Sequence, residues 1–352
     1  MKTVEVTTAP AYSVHIGAGL LAQCGKLISA VHKPCTAVLV TDDIVDGLYA
    51  PLAASSLEQA GFAVVKFSFP NGERSKTLET YSSLLAFLAQ QGITRSDLIV
   101  ALGGGVVGDL AGFAAATYLR GMEFVQLATT LLAQIDSSVG GKTAVDLPQG
   151  KNLVGAFWQP RLVLCDTQCL STLPDHVLAD GLAEAVKYAM IADARLLNLL
   201  CSDWMGEYAE KVIARCIHLK ALAVEADERD FGERQKLNFG HTAGHAVEKH
   251  SSFTITHGHA VAIGMAVVTR ACVKRGMVSP ETLSSLERAL EYNNLPLRCP
   301  VSAAILAQGA GSDKKRCGSE ITLVLPVEVG VCTLASFPLS QLEEFFQDGL
   351  SD

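Results

Sequence analysis

Four histidines and one glutamate stand at spacings that could hold a metal ion. His241 and His245 are four residues apart in a stretch of helical pattern, so they share a face. His257 and His259 follow across a loop. Upstream, Glu184 and Lys187 are three apart in a helix predicted to begin near Pro174, and they share a face too. A glutamate and two histidines around an open position make a catalytic zinc set. Spacing alone selects the i,i+4 pair His241 and His245. Cys165 and Cys169 are also four apart, but no second ligand pair accompanies them, so they read as ordinary residues.

A second kind of chemistry is written in glycine. Gly103, Gly105 and Gly108 form G-x-G-x-x-G, with Gly104, Val106 and Val107 between them and Asp109 after. The run follows the strand-like LIVAL and precedes the helical LAGFAAATYL. Glycines let backbone N–H groups approach a pyrophosphate, and a helix N-terminus favours its charge. It differs from an ordinary dinucleotide fingerprint. It follows about the third core strand, and Thr129 and Thr130, not an acid, end the next one. The acids that could meet ribose hydroxyls are Asp42, after TAVLV, and Glu73, in the turn Pro70-Asn71-Gly72-Glu73. Lys76 could meet a phosphate or hydroxyl. Further on, Asp136 leads into Gly140-Gly141-Lys142 and then Gly150-Lys151-Asn152, a polar stretch read as an anion cradle.

The elements that must carry these groups are legible as two patterns. Apolar, β-branched runs at 36–40, 63–69, 98–102, 124–128 and 162–165 alternate with amphipathic stretches such as 78–91, which predicts a parallel sheet covered on both faces. Segments 4–8 and 12–16 read as a flanking hairpin. From about residue 173 apolar positions recur at three- and four-residue steps, so a mainly helical domain is expected, with a boundary near residue 170. A β-like run at 321–325, with strand-like sequence on to 334, interrupts it. The charge run 225–236 would ordinarily be a solvated helix surface. At 352 residues, about two domains are expected, with a core large enough to need no disulfide or metal to fold. With 28 basic against 36 acidic residues the net charge is −8, against a nucleic-acid binder. No apolar run is long enough for a membrane span, and Glu5 interrupts any export signal. The ten cysteines therefore read as reduced, in a cytoplasmic protein.

Several longer motifs occur together and in order: GGGVVGDLAGFAAATYLRG, TTLLAQIDSSVGGKTAVDLPQGKNLVGAFWQP, GLAEAVKY, NFGHTAGHAVE, THGHAVAIGM and DKK. The chain thereby resembles the 3-dehydroquinate synthases, members of the sugar phosphate cyclases, over nearly its whole length. The resemblance implies an α/β, Rossmann-like NAD-binding domain over 1–170 and a mainly helical metal- and substrate-binding domain over 171–352. It implies a homodimer using NAD+ and a divalent zinc or cobalt ion. The small-molecule substrate would be 3-deoxy-D-arabino-heptulosonate 7-phosphate, converted to 3-dehydroquinate and phosphate in the shikimate route. Its C5 hydroxyl would be oxidised, phosphate eliminated, the hydride returned and the ring closed by an aldol step.

Carried over residue by residue, the pattern implies Glu184, His241 and His257 as metal ligands, with His245 beside the substrate. Lys142, Asn152, Asn238, His245 and one lysine of DKK, Lys314 or Lys315, would lie towards the phosphate, and Lys220 and Arg234 towards the carboxylate. Arg120 would reach the phosphate from a partner subunit. Asp136, Lys142 and Lys187 are candidates for relaying protons at the ring. The dinucleotide would lie against Asp42, Asn71, Gly72, Glu73, Arg74, Ser75 and Lys76, the loop Gly104–Asp109, Thr129 and Thr130, Lys142 and Lys151, and the stretch Cys169, Leu170, Ser171 and Thr172. Three positions depart from the family pattern: Asn71 for Asp, Val177 for Glu and His259 for the Glu after His-Gly. The last matters most, because a carboxylate behind a metal-bound histidine can orient it. The rival expectations are another sugar phosphate cyclase, a metal-dependent polyol dehydrogenase, and an inactive NAD-binding regulator.

Overall fold

A computed structural model describes residues 1–230, 232–311, 316–317 and 319–350. The chain divides into two compact units, one of Met1–Pro174 with Lys220–Arg229, the other of Asp175–Leu219 with Asp230–Asp352.

The first unit runs β1 (Lys2–Val6), β2 (Tyr12–Gly17), α1 (Cys24–Ser29), β3 (Thr36–Asp42), α2 (Asp43–Gln59), β4 (Ala63–Phe69), α3 (Leu78–Gln90), β5 (Leu98–Gly103), α4 (Gly105–Thr117), β6 (Phe124–Ala128), β7 (Lys142–Leu147), β8 (Gly150–Phe157) and β9 (Leu162–Asp166). Seven strands form one sheet in the order β1-β2-β9-β6-β5-β3-β4. All neighbours are parallel except the β1–β2 hairpin. Period-2 alternation explains the two covered faces. Ala37 and Leu39 of β3 and Val100 and Leu102 of β5 pack with Ile28, Ala53 and Leu57 of α1 and α2. Val38, Val40, Ile99 and Ala101 point the other way, against Leu84 and Leu88 of α3 and Leu110, Ala111 and Ala114 of α4. Every residue of β5 is buried, and each large aliphatic side chain so placed contributes roughly 1.5–3 kcal/mol of burial.

The polar stretch read as a cradle is not a loop. It forms the antiparallel hairpin β7–β8, paired from Lys142↔Phe157 to Val145↔Val154 and, after a shift in register, at Leu147↔Gly150. Thr143, Ala144 and Val145 of β7 are all buried, and Gly155 lets the strands close, since a Cβ there would lie 2.1 Å from the Thr143 carbonyl oxygen.

The second unit holds α5 (Asp175–Ala192), α6 (Ala194–Leu200), the first part of α7 (Ala209–Ala226), α8 (His241–His250), α9 (His257–Lys274), α10 (Pro280–Tyr292), α11 (Ala303–Gly311), α12 (Leu342–Leu350) and the small antiparallel sheet β10 (Arg316–Cys317), β11 (Glu320–Glu328), β12 (Val331–Pro338). Helix α9 is its axis, buried through thirteen of its eighteen residues. It meets α8 closely at Gly264, where a Cβ would stand 1.9 Å from the Gly240 carbonyl oxygen.

The charge run 225–236 is not one solvated helix face. Helix α7 ends at Ala226 and a short 3-10 turn occupies Glu233–Asn238. Arg234 in that turn is buried, 1% exposed.

Candidate active site

Helices α5, α8 and α9 bring three donors of the second unit together. Glu184 sits mid-helix on α5, while His241 and His257 are the first residues of α8 and α9. Their donor atoms all lie within 4.8 Å of one another. The Nε2 atoms of His241 and His257 each stand 3.3 Å from Glu184 Oε1. Lys187, one turn along α5, pairs with Glu184 Oε2. Both of these α5 side chains are almost fully buried. Burial opposes the Glu184 charge, but Lys187 and His241 outweigh it and hold the carboxyl well below the usual carboxylate range.

The groups behind the imidazoles define their roles. Phe239 carbonyl oxygen lies 3.1 Å from His241 Nδ1, so that nitrogen carries the proton and donates it. Burial pulls the His241 ring below its ordinary value against the pull of Glu184. A neutral His241 therefore turns an Nε2 lone pair towards a carboxylate oxygen, a pairing that a divalent cation between them satisfies. His257 Nδ1 lies 3.5 Å from Glu248 Oε2. Burial works against its charge as well, yet Glu184 and Glu248 on its two sides raise it to about 10. Thus Glu248 stands as a carboxylate behind His257, the candidate ligand whose support the His259 departure had put in question. The donor set suits zinc or cobalt: two imidazoles and one carboxylate.

His245 does not join that set. Its ring centroid is 5.5 Å from that of His241, and the two rings are edge-on. With Glu248 and His257 it forms a second group of metal-capable atoms. The two groups share His257, but its Nε2 faces Glu184 and only its Nδ1 faces Glu248. The structure thus brings Glu184, His241 and His257 into one group and His245 into another.

In the first unit the glycine loop sits where strand order reverses. Helix α2 leaves β3 on one face of the sheet and α4 leaves β5 on the other, and these strands are neighbours, with Thr41 opposite Leu102. The carboxyl ends of two such strands open a crevice for a ligand. Asp42 ends β3 there, and Gly104 caps α4 beside Thr130. Asp42 also caps α2, accepting from the Ile44 and Val45 N–H groups at 3.1 and 2.9 Å. The glycines serve close packing: a Cβ on Gly108 would lie 2.5 Å from Gln126 Oε1. Thr129 is buried and donates its N–H to the Gly103 carbonyl at 3.0 Å.

Around the loop, Lys76 is 4% exposed and donates to Asp109 Oδ2 at 2.5 Å and Asn152 Oδ1 at 2.6 Å. Burial works against the Lys76 charge, but Asp109 and Glu73 outweigh it and hold the ammonium above its ordinary value. Asn152, at φ 53°, donates its backbone N–H to Asp146 Oδ1. Lys151 Nζ lies 3.4 Å from Glu73. Asn71 donates twice to Asp43 Oδ1, both at 2.9 Å, pinning the turn before the exposed Gly72 and Arg74 and the half-buried Ser75. Lys220 pairs with Asp136 and donates to its carbonyl at 2.7 Å. Lys142 is exposed on β7, and Arg120 is exposed at φ 64°. Cys169 and Leu170 are buried, while Ser171 and Thr172 are exposed and Thr172 meets the Tyr49 hydroxyl at 2.5 Å. In the second unit, Asn238 donates to the Gln235 carbonyl at 3.0 Å. Lys314 and Lys315 lie outside the described residues.

Two contributors escape a reading of spacing that looks only for ligands. Glu248 stands seven residues after His241 on the same helix face, and Asp180 four before Glu184.

Comparison with known proteins bears on both units. The family model for the 3-dehydroquinate synthase N-terminal domain matches residues 66–180, and that for the C-terminal domain matches 181–316. The 3-dehydroquinate synthase of Streptococcus sanguinis is 44% identical over 344 residues, 96% of this chain and 97% of that one. A 2-deoxy-scyllo-inosose synthase, solved with carbaglucose-6-phosphate, NAD+ and Co2+, superposes with a TM-score of 0.86 at 26% identity, covering 99% of this chain and 100% of the other. The 2-epi-5-epi-valiolone synthase of Streptomyces hygroscopicus, with NAD+ and Zn2+ bound, gives 0.88 at 26% identity and 96% of each chain. The α/β and helical architecture is thus that of the sugar phosphate cyclases. Matched by its models in both halves and by a relative of almost equal length, the chain belongs to the 3-dehydroquinate synthase family.

Proposed function

We propose that this chain converts 3-deoxy-D-arabino-heptulosonate 7-phosphate into 3-dehydroquinate and phosphate, recycling NAD+ with a divalent zinc or cobalt ion. The observation that carries the reading is the buried Glu184 carboxylate facing the Nε2 atoms of His241 and His257, each at 3.3 Å. When bound, NAD+ accepts and returns the hydride, and the metal polarises the oxygen at the carbon that is oxidised. Glu184, His241 and His257 would hold that metal. Lys187 keeps Glu184 ionised in a site from which water is largely excluded. Phe239 and Glu248 hold the two imidazole planes from behind. The glycine loop and the crevice beside Asp42 support dinucleotide binding, and the Lys76–Asp109 pair holds the wall of that crevice rigid. Within the first unit, Lys142 and Asn152 are assigned to the substrate phosphate and Lys220 to its carboxylate; Asp136, which pairs with Lys220, is assigned to relay protons. Within the second, Arg234 is assigned to the carboxylate, and Asn238 and His245 to the phosphate. The active form is proposed to be a cytoplasmic homodimer, in which Arg120 reaches the partner subunit's substrate.

The test is incubation of the metal-loaded chain with the heptulosonate phosphate and trace NAD+. Phosphate and 3-dehydroquinate should form in large molar excess over NAD+, with no lasting NADH absorbance. Stoichiometric NADH would instead identify a polyol dehydrogenase, and turnover of glucose 6-phosphate another cyclase.

A further inference from the structure

Asp180 lies on α5 one turn before Glu184, on the same face of the helix. Its Oδ1 atom receives three donors from the start of α9: the Thr256 hydroxyl at 2.6 Å, the His259 backbone N–H at 3.1 Å and His259 Nδ1 at 2.9 Å. An ionised carboxylate only accepts, so His259 carries its proton on Nδ1. Thr256 is the N-cap residue of α9, yet its side chain caps nothing in its own helix. The orphan N–H of His259 is satisfied from the facing helix instead. Gly258 makes this approach possible, since a Cβ there would lie 2.3 Å from the Cα and carbonyl oxygen of Asp180. Between Thr256 and His259, both tied to Asp180, stands His257.

We infer that Asp180, acting with Thr256 and His259, is the positioning residue that sets His257 against Glu184; the inference rests on the metal reading above. Asp180 belongs to neither group of metal-capable atoms. It acts by fixing the backbone on both sides of one ligand to the helix that supplies another. The same clasp gives the His259 departure a physical account. Histidine at 259 donates to a carboxylate on α5, so the residue after His-Gly and the acid that anchors it have a built partnership in this chain.

The experiment compares cobalt binding by the full wild-type chain, Asp180→Ala, Asp180→Asn and the double variant Thr256→Val/His259→Ala. Dissociation constants come from competition with a chromophoric chelator, and geometry from the visible absorption of bound Co2+. Loss of a group that orients a ligand weakens metal binding by about 10- to 100-fold, and that loss is expected for Asp180→Ala, with an altered cobalt spectrum. Asp180→Asn keeps an oxygen acceptor for Thr256 and the His259 N–H and should stay within about threefold of wild type by the same reasoning. A folded Asp180→Ala chain that binds cobalt like wild type, with the same spectrum, overturns the inference. Should Asp180→Ala fail to fold, the double variant decides: wild-type affinity there overturns it equally. A wild-type chain that takes up no cobalt sinks the metal reading itself and takes the inference with it.

Discussion

Two ionic clusters, each built on a buried lysine and one in each unit, solve the same problem differently. Around the glycine loop, Lys76 is brought against Asp109 and Asn152 from three separate stretches of chain, and every contact joins a donor to an acceptor. That network is closed by the protein alone. Around Glu184, one lysine meets one carboxylate oxygen, while the other oxygen faces the Nε2 atoms of both His241 and His257, each at 3.3 Å, and the His241 proton is already given to the Phe239 carbonyl. The lone pair that His241 turns towards that oxygen is one a divalent cation would satisfy. The difference separates scaffolding from the proposed chemistry: the first cluster holds a loop in shape, and the second is the one proposed to hold an ion that would polarise substrate.

The largest expected effect tests the second cluster. Glu184→Gln and His257→Ala should lose metal on dialysis, by more than the roughly 10- to 100-fold typical of residues behind a ligand, and turnover with it. His245→Ala should keep near-stoichiometric metal while turning over poorly. Metal analysis of the dialysed variants decides. A metal-free His245 variant beside a loaded His257 variant would restore the i,i+4 pair that helical spacing selects.

Next comes the closed cluster. Lys76→Met leaves the half-buried Asp109 carboxylate without its cation, which costs roughly 1–3 kcal/mol. Urea unfolding should show that loss while metal content stays unchanged. The double variant Lys76→Met/Asp109→Leu removes both charges and should recover most of it. Metal loss in Lys76→Met, or no change in its stability, would break the contrast between the two clusters.

Legibility in the sequence follows the same division. The central parallel strands could be read because burial on both faces demands apolar, β-branched runs, and 124–128 is a strand to the residue; the edge strand 63–69 is one as well, though only Phe69 in it is buried. The β7–β8 hairpin could not, because β8 is half exposed and punctuated by Gly150 and Gly155, which imitate a loop. Spacing placed Glu184 and Lys187 on one face, a local fact about one helix. It could not bring His257 to His241 in preference to His245, because that closeness comes from α9 packing on α8 through Gly264. The burial of Arg234 inside a charge run, and the return of Lys220–Arg229 to the first unit, depend on tertiary packing and leave no periodic signature.

The smallest effect sharpens the comparison by moving an ion pair towards water. Asp193 in the second unit caps α6, accepting from the Arg195 and Leu196 N–H groups at 3.0 and 3.3 Å, and it also takes Arg215 Nε at 2.5 Å. The Arg215 side chain is 43% exposed, against 5% for Lys76. Burial works against the Asp193 charge, yet Arg215 and the two N–H groups outweigh it and hold the carboxyl below its ordinary value. A depressed folded value means the stabilisation is full above the unfolded Asp range, near 3.9, and is lost as pH falls through the folded value. Arg215→Ala should therefore cost under about 1 kcal/mol at pH 7, as exposed pairs do. Asp193→Ala, which also removes the cap, should cost roughly 1–2 kcal/mol. Both penalties, read from urea midpoints, should shrink together as the pH is lowered past 4. An Arg215→Ala penalty as large as that of Lys76→Met would mean that burial does not set the worth of these pairs, and the distinction between a closed interior network and a surface contact would fail.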